Sequence, residues 1–362
     1  MRLPTYQELD KEQDKIYNLP LDKSHIVTGP PGTGKTVMAL YRAKMYEDSG
    51  ARCRILMLSR LLSEYVSAEV NVLDLGARVT TYNSWVWNFY VKTYGERPDQ
   101  IEKYVFDWQR ILPKILSNLP DADSKPNIIV DEGQDLPSDF YTVIPFMSDQ
   151  LTIFADENQR ITDRNSTIQE ISANTQIKNF FRLTRNYRNT RPIAELSRVF
   201  HTGSKDYLPA LPDKEGRLPV IDSTSGVDEF VDFLITYEEI YSDLFLGVFT
   251  ETISLQEEIL TKIRDKTQNP VQYYRSGQQE YIDFNRQGIC LVSFKSAKGL
   301  EFDTVFIPEI QSLSHDPSDP STLMQMYVLI SRARDELFLL YSGSERPELL
   351  EKIPSDLVES RD

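Results

Sequence analysis

Short apolar runs alternate along the chain with stretches of helical periodicity, the pattern of parallel strands joined by crossover helices. In the first half SHIVTG (24–29), RILMLS (54–59), NIIVDE (127–132) and LTIFAD (151–156) predict strands. Helices are expected from Thr36 to about Asp48, from Leu62 to about Val70, and from about Ile101 to Leu119 with Pro113 interrupting. The second half repeats the style with FLGVFT (245–250), GICLVSF (288–294), DTVFIPEI (303–310) and ELFLLYS (336–342). Helical patterns lie near 228–241, 253–266 and 321–334, and the stretch from His201 to Ser225, with five prolines or glycines, reads as loop. The expectation is an α/β chain of two domains, 1–178 and 179–362, each with a parallel sheet.

Composition narrows the chemistry. A length of 362 residues suits two domains, and 40% hydrophobic with 26% charged residues is enough apolar material for two cores. No run approaches the roughly 18 apolar residues of a spanning helix, and MRLPTYQELD has no hydrophobic signal core, so a cytoplasmic chain without a membrane role is expected. Cys53 and Cys290 each border an apolar run and read as buried reduced thiols. His25, His201 and His315 lack metal spacing, which argues against zinc. Forty cationic against 55 anionic residues give a net charge of -15, so a polyanion needs a local basic surface. One candidate is the acid-free interval between Glu170 and Glu195, which holds Lys178, Arg182, Arg185, Arg188 and Arg191; a solvated face is the plainer alternative.

GPPGTGKT at Gly29–Thr36 fits the phosphate-binding pattern G-x-x-x-x-G-K-[ST] and stands between a predicted strand and a predicted helix. Gly32 and Gly34 let the backbone curl so that N–H groups face a polyphosphate, and the helix starting near Lys35 adds its positive end. Lys35 then reaches the β/γ-phosphates and the Thr36 hydroxyl ligates magnesium. About a hundred residues on, IIVDEGQD ends an apolar strand in two carboxylates, where packing gives no reason for them. Asp131 suits the metal, through water, and Glu132 suits the water attacking a γ-phosphate. Alone the pair is an ordinary cap; beside the glycine-rich loop it specifies nucleotide hydrolysis.

The order of segments resembles the UvrD/Rep family of superfamily 1 helicases, in a compact form, across nearly the whole chain. LDKEQDKI is similar to that family's glutamine motif, which implies Gln13 at the adenine edge. GPPGTGKT and DEGQD resemble its Walker segments, and FADENQ (154–159) its third motif, implying Gln159 as γ-phosphate sensor. LTRNYRNT (183–190) resembles the fourth, with Tyr187 stacked on the base and Arg188 at the γ-phosphate. SFKSAKGLEFD (293–303) resembles the fifth, with Glu301 at the ribose, and YVLISRARDEL (327–337) the sixth, with Arg332 as second arginine finger. The resemblance implies two RecA-like P-loop domains with ATP and Mg2+ at the cleft between them. A P-loop domain alone cannot neutralise the charge developing on a transferring phosphoryl group, so the arginines must arrive from elsewhere.

VTTYNSWVWNFY (79–90) is dense in aromatics, explained by core packing or by stacking faces for unpaired bases. TYNS resembles a single-strand-contacting TFHS-like motif, which implies Thr81, Tyr82 and Trp85 as contacts; Ser59, Lys295 and Ser296 are further candidates. Departures are plain: RITDRNST follows Gln159 where the family carries a YGWRGA-like stretch with a stacking tryptophan, Lys295 replaces a histidine, and TLMQM replaces acids before the sixth motif. About 40 residues between TYNS and DEGQD, and about 100 between NYR and the fifth motif, leave no room for large accessory subdomains. The resemblance implies Mg-dependent ATP hydrolysis coupled to translocation on single-stranded nucleic acid, DNA in particular, with 3′ to 5′ polarity. A protein partner is expected to supply duplex engagement or nuclease activity. The alternative is an ATP-gated switch or recruitment subunit that neither translocates nor unwinds.

Overall fold

Strands that read as unbroken apolar runs become the middle of two parallel sheets, because a strand covered on both faces has no polar side to show. The computed structural model describes residues 4–72, 78–156, 166–275, 282–313 and 316–361, and the chain divides into two compact units, Met1–Thr184 and Arg185–Asp362.

In the first unit the strands are β1 (His25–Thr28), β2 (Cys53–Met57), β3 (Arg78–Thr81), the hairpin β4 (Gln100–Glu102) and β5 (Val105–Phe106), β6 (Asn127–Val130), β7 (Leu151–Ala155) and β8 (Phe180–Arg182). The helices are α1 (Lys11–Tyr17), α2 (Lys35–Asp48), α3 (Arg60–Val72), α4 (Tyr82–Tyr94), α5 (Trp108–Ser117), α6 (Ser138–Met147) and α7 (Ile168–Thr175). Six strands form one parallel sheet in the order β3-β2-β6-β7-β1-β8, with Ile26 opposite Ile153 and Ile55 opposite Ile129. Every residue of β6 and β7 is buried. Because β8 pairs with β1, the chain stays in this unit until Thr184, beyond the expected boundary at 178.

The second unit holds β9 (Val220–Thr224), β10 (Phe245–Thr250), β11 (Gln272–Tyr274), β12 (Gly288–Ser293), β13 (Phe302–Ile307), β14 (Ala333–Ser342) and β15 (Glu359–Ser360). Its helices are α8 (Arg191–Val199), α9 (Val227–Ile240), α10 (Ile253–Lys266), α11 (Pro320–Ile330) and α12 (Glu348–Glu351). The sheet is again parallel, in the order β11-β12-β10-β13-β14-β9-β15, and β10 is buried throughout. Phe230, Leu234 and Tyr237 of α9 enter the core, as their spacing requires.

Three expectations are corrected. The helix expected from Ile101 is an antiparallel hairpin over 100–106, and α5 starts only at Trp108, capped by the Asp107 carboxylate. The stretch read as loop between His201 and Ser225 contains β9, paired with β14. The helix expected to Arg334 stops at Ile330, and β14 begins at Ala333.

Candidate functional site

Parallel strands send their carboxyl ends to one edge of a sheet, and loops leaving that edge can meet. The loop after β1 carries GPPGTGK; its turn puts Gly32 and Gly34 at φ 79° and 84°, a region that costs other residues energy. Gly34 is also the N-cap of α2, and a Cβ there would come within 2.8 Å of Gln13 Nε2. Lys35, the first residue of α2, is buried, with Nζ donating to the carbonyls of Gly29 at 2.6 Å and Pro30 at 3.1 Å. The Asp156 carboxylate, just past β7, stands 3.8 Å from the same ammonium.

Gln13 reaches this loop from α1, where it has a second task. Asp10 caps the helix by accepting from the N–H groups of Glu12 and Gln13, and Gln13 Oε1 accepts in return from the Asp10 N–H. Glu12 beside it accepts both the Thr184 N–H and the Thr184 hydroxyl at 2.7 Å, joining α1 to the end of the unit. The loop after α1 is gripped by α2: Arg42 donates to the Leu19 and Pro20 carbonyls, and the Tyr46 hydroxyl to Leu21 at 3.2 Å.

At the end of β6, Asp131 is fully buried and its Oδ2 accepts from the Thr36 hydroxyl at 2.8 Å. Burial, reinforced by the neighbouring Glu132 carboxylate, raises the Asp131 carboxyl above its usual range. Glu132 sits in the left-handed region at φ 52°, a strained place for a side-chain-bearing residue. Gly133 follows because a Cβ there would meet Ile153 Cγ2 at 2.7 Å and the Tyr141 hydroxyl at 2.8 Å; that hydroxyl donates to the Gly133 carbonyl. Gln134, which sequence reasoning passed over, is buried and bonds at both ends of its amide: Nε2 donates to Glu132 Oε2 at 2.6 Å, and Oε1 accepts from the Asp156 N–H at 2.8 Å. A buried amide two residues after a carboxylate pair was the available signal.

Gln13, Gly29, Gly32, Gly34, Lys35, Thr36, Asp131 and Glu132 are thus brought to one edge of the first sheet. Gln159 lies outside the described residues.

In the second unit the turn Asn186–Thr190 docks on the segment entering β14. Asn186 Oδ1 accepts from the N–H groups of Arg188 and Asn189, and Asn189 Nδ2 donates to the carbonyls of Ser331, at 3.1 Å, and Ala333. Arg188 is thereby placed to pair with Glu301 at 2.6 Å and to donate to the Ser331 carbonyl at 3.3 Å. Burial would raise the Glu301 carboxyl, but the Arg188 guanidinium outweighs it and holds the group below its usual range. Arg332 is buried beside them, Nε donating to the Val328 carbonyl at 3.0 Å. Tyr187 is exposed, with the Arg185 guanidinium 5.8 Å from its ring centre. Arg188, Glu301 and Arg332 therefore form one cluster at the amino ends of β13 and β14, where Phe302 pairs with Ala333.

The nucleic-acid candidates are scattered by comparison. Ser59 lies between β2 and α3, and its hydroxyl accepts from the Leu62 N–H in the first turn of α3. Thr81 is the N-cap of α4, accepting from the Ser84 N–H at 3.2 Å. Tyr82 and Trp85 are 6% and 7% exposed; their rings pack on Phe106, Phe140 and Phe89, which leaves no open face for a base. Lys295 is exposed and Ser296 part-buried after β12, with Ser296 Oγ 3.0 Å from Ser293 Oγ. The acid-free interval is not a bare basic face: Arg185 pairs with Asp213, Arg188 with Glu301 and Arg191 with Glu195.

No family model matches the chain, and no curated protein matches it. Among solved structures, the crystal structure of the C-terminal domain of a possible DNA helicase from Lactobacillus plantarum WCFS1 is similar at 20% identity and a TM-score of 0.38, over 49% of this chain and 99% of that one. At that level the likeness carries no argument, and the chemistry rests on this chain's own residues. Among the described residues no helix is long and apolar enough to cross a membrane.

Proposed function

We propose that the protein is an ATP hydrolase built from two RecA-like units, whose turnover drives movement along single-stranded nucleic acid, DNA in particular. The observation that carries the reading is the edge of the first sheet where Lys35, Thr36, Asp131 and Glu132 converge, with Thr36 Oγ1 at 2.8 Å from Asp131. A glycine-turned loop opening a helix with a buried lysine is built for a polyphosphate. The donors suit magnesium, which takes one or two protein oxygens and fills the rest of its shell with water and phosphate. Thr36 and Asp131 would hold the ion, and when bound it neutralises charge on the phosphates.

In this reading Glu132 orients the attacking water, Gln13 meets the adenine edge, and Gln159 senses the γ-phosphate. Arg188 and Arg332 would answer the charge developing on the transferring phosphoryl group. Measuring ATP turnover with and without oligonucleotides tests it. Hydrolysis stimulated by single strands is expected, and Lys35→Ala should lower turnover by at least about a hundredfold. Hydrolysis indifferent to nucleic acid would favour an ATP-gated switch, and no hydrolysis by folded protein under either condition would end the enzyme reading.

A further inference from the structure

The aromatic segment 79–90 turns only part of itself inward. Tyr82, Trp85, Val86 and Tyr90 face the core, while the other side of α4 faces the β4–β5 hairpin across a groove of about 380 Å³. Asn83, Trp87 and Asn88 line it from the helix, and Gln100, Lys103 and Tyr104 from the hairpin.

Three observations on this groove point to a ligand. Tyr104 is 63% exposed and occupies the left-handed region at φ 69°, on a two-residue hairpin turn where glycine or asparagine is the unstrained choice. A bulky residue in that conformation, with its ring in solvent, is not explained by packing. Each ring also has a cation beside it: Lys103 Nζ lies 5.1 Å from the Tyr104 ring centre, and the Arg97 guanidinium 6.0 Å from that of Trp87. Finally, Glu96 pairs with Lys114, and Asp99 and Asp107 with Arg110, while no ion pair among the described residues joins Arg97 or Lys103 to a carboxylate.

We infer that this groove seats an unpaired nucleobase of a single strand. Tyr104 supplies a stacking face, which every base can use, and Trp87, partly buried against the core, borders it. The amides of Asn83, Asn88 and Gln100 each donate and accept, so they serve base edges without choosing among them. Lys103 and Arg97 meet the flanking phosphates. The site lies on residues other than the buried Tyr82 and Trp85. The inference rests on the reading that the protein acts on single strands.

The test uses the full chain, a labelled oligothymidylate and an abasic oligomer of equal length, followed by anisotropy. The wild type should bind the oligothymidylate about 5- to 100-fold more tightly than the abasic strand, the range one or two stacked bases provide. Tyr104→Gly relieves the backbone strain, so its melting temperature should hold or rise while oligothymidylate affinity falls about tenfold; Tyr104→Phe should keep wild-type affinity. A merely structural tyrosine would give the reverse, unchanged binding with altered stability. Equal affinity for the two strands, or Tyr104→Gly binding as wild type does, overturns the site while leaving the ATPase reading intact. A wild type that binds neither strand overturns the site and the single-strand reading together, while ATP turnover is judged separately. Binding of a proline-rich peptide in place of either strand would reassign the groove to a protein partner.

Discussion

Gln134 bonds the Glu132 carboxylate with one end of its side chain and the Asp156 backbone with the other, at 2.6 Å and 2.8 Å. One buried amide therefore sets the carboxylate that follows β6 against the residue that follows β7. Glu132, held in a left-handed backbone, depends on such a partner for a single side-chain direction.

Gln134→Ala should leave Asp156 N–H without this acceptor and release Glu132. A stability loss of about 1–3 kcal/mol is expected. ATP turnover should fall by up to about a hundredfold with little change in KM, since misplacing a reacting group costs rate more than ground-state binding. Thermal melts and steady-state kinetics on one preparation separate the two effects. A raised KM at unchanged kcat would show that Gln134 serves nucleotide binding.

Much of this arrangement is legible in the chain before any coordinates. GPPGTGKT and IIVDEGQD name the loop and both carboxylates, because phosphate binding needs glycine at special backbone angles and the acidic pair, alone an ordinary cap, gains its meaning beside that loop. The central strands are equally plain: NIIV and LTIFA are apolar throughout because both faces are covered. Edge strands are not. Phe180–Arg182 has its first and last residues exposed, and Glu359–Ser360 is exposed throughout, so neither carries a burial pattern. The hairpin at 100–106 was misread as helix because only Phe106 of its strands is buried; the Asp107 cap was the sign that a helix starts later. Tyr82 and Trp85 follow as stacking faces from aromatic density and the TYNS resemblance, neither of which says which side of a helix meets the core.

Arg188 and Glu301 make a second testable pair. Both side chains are mostly shielded, at 13% and 16% exposure, so their attraction is screened less than that of a surface pair. A double-mutant cycle with Arg188→Ala and Glu301→Ala should give a coupling of about 1–3 kcal/mol in stability. The resemblance places Glu301 at the ribose, and its bond to Arg188 offers a second task. If holding Arg188 is its work, Glu301→Gln should lower turnover of ATP and 2′-deoxy-ATP in equal proportion. A loss confined to ATP would mark Glu301 as the ribose contact.

Both cysteines are free and buried. Burial pushes the Cys53 thiol up to about 12 and raises Cys290 further, so neither is a thiolate near neutrality. A thiol reagent at pH 8 should modify neither in the native protein and both in denaturant. Rapid native labelling at either position would show that its strand opens easily, since Cys53 begins β2 and Cys290 lies within β12.

His25 provides a pH dependence whose sign follows from its surroundings. Nε2 lies 3.1 Å from the Pro20 carbonyl, an acceptor only, so that nitrogen carries the proton; Nδ1 is buried with no hydrogen-bond partner among the described residues. Burial lowers the imidazole pKa, the Pro20 bond opposes this, and Arg42 and Lys23 lower it further, with Asp22 acting against them. The unfolded chain then binds a proton near pH 6.5, which the native ring refuses until a lower pH. Stability from this site is intact above about pH 6.5 and is lost as pH falls from there toward the native value. His201, lowered by burial and set edge-on to Tyr327, acts in the same direction. Asp131, raised in the native state, acts in the opposite one, so the informative quantity is the wild type minus His25→Asn. Between pH 7.5 and 5.5 the wild type should lose more melting temperature than the variant. Parallel curves would mean that the native ring takes up its proton as readily as the unfolded one.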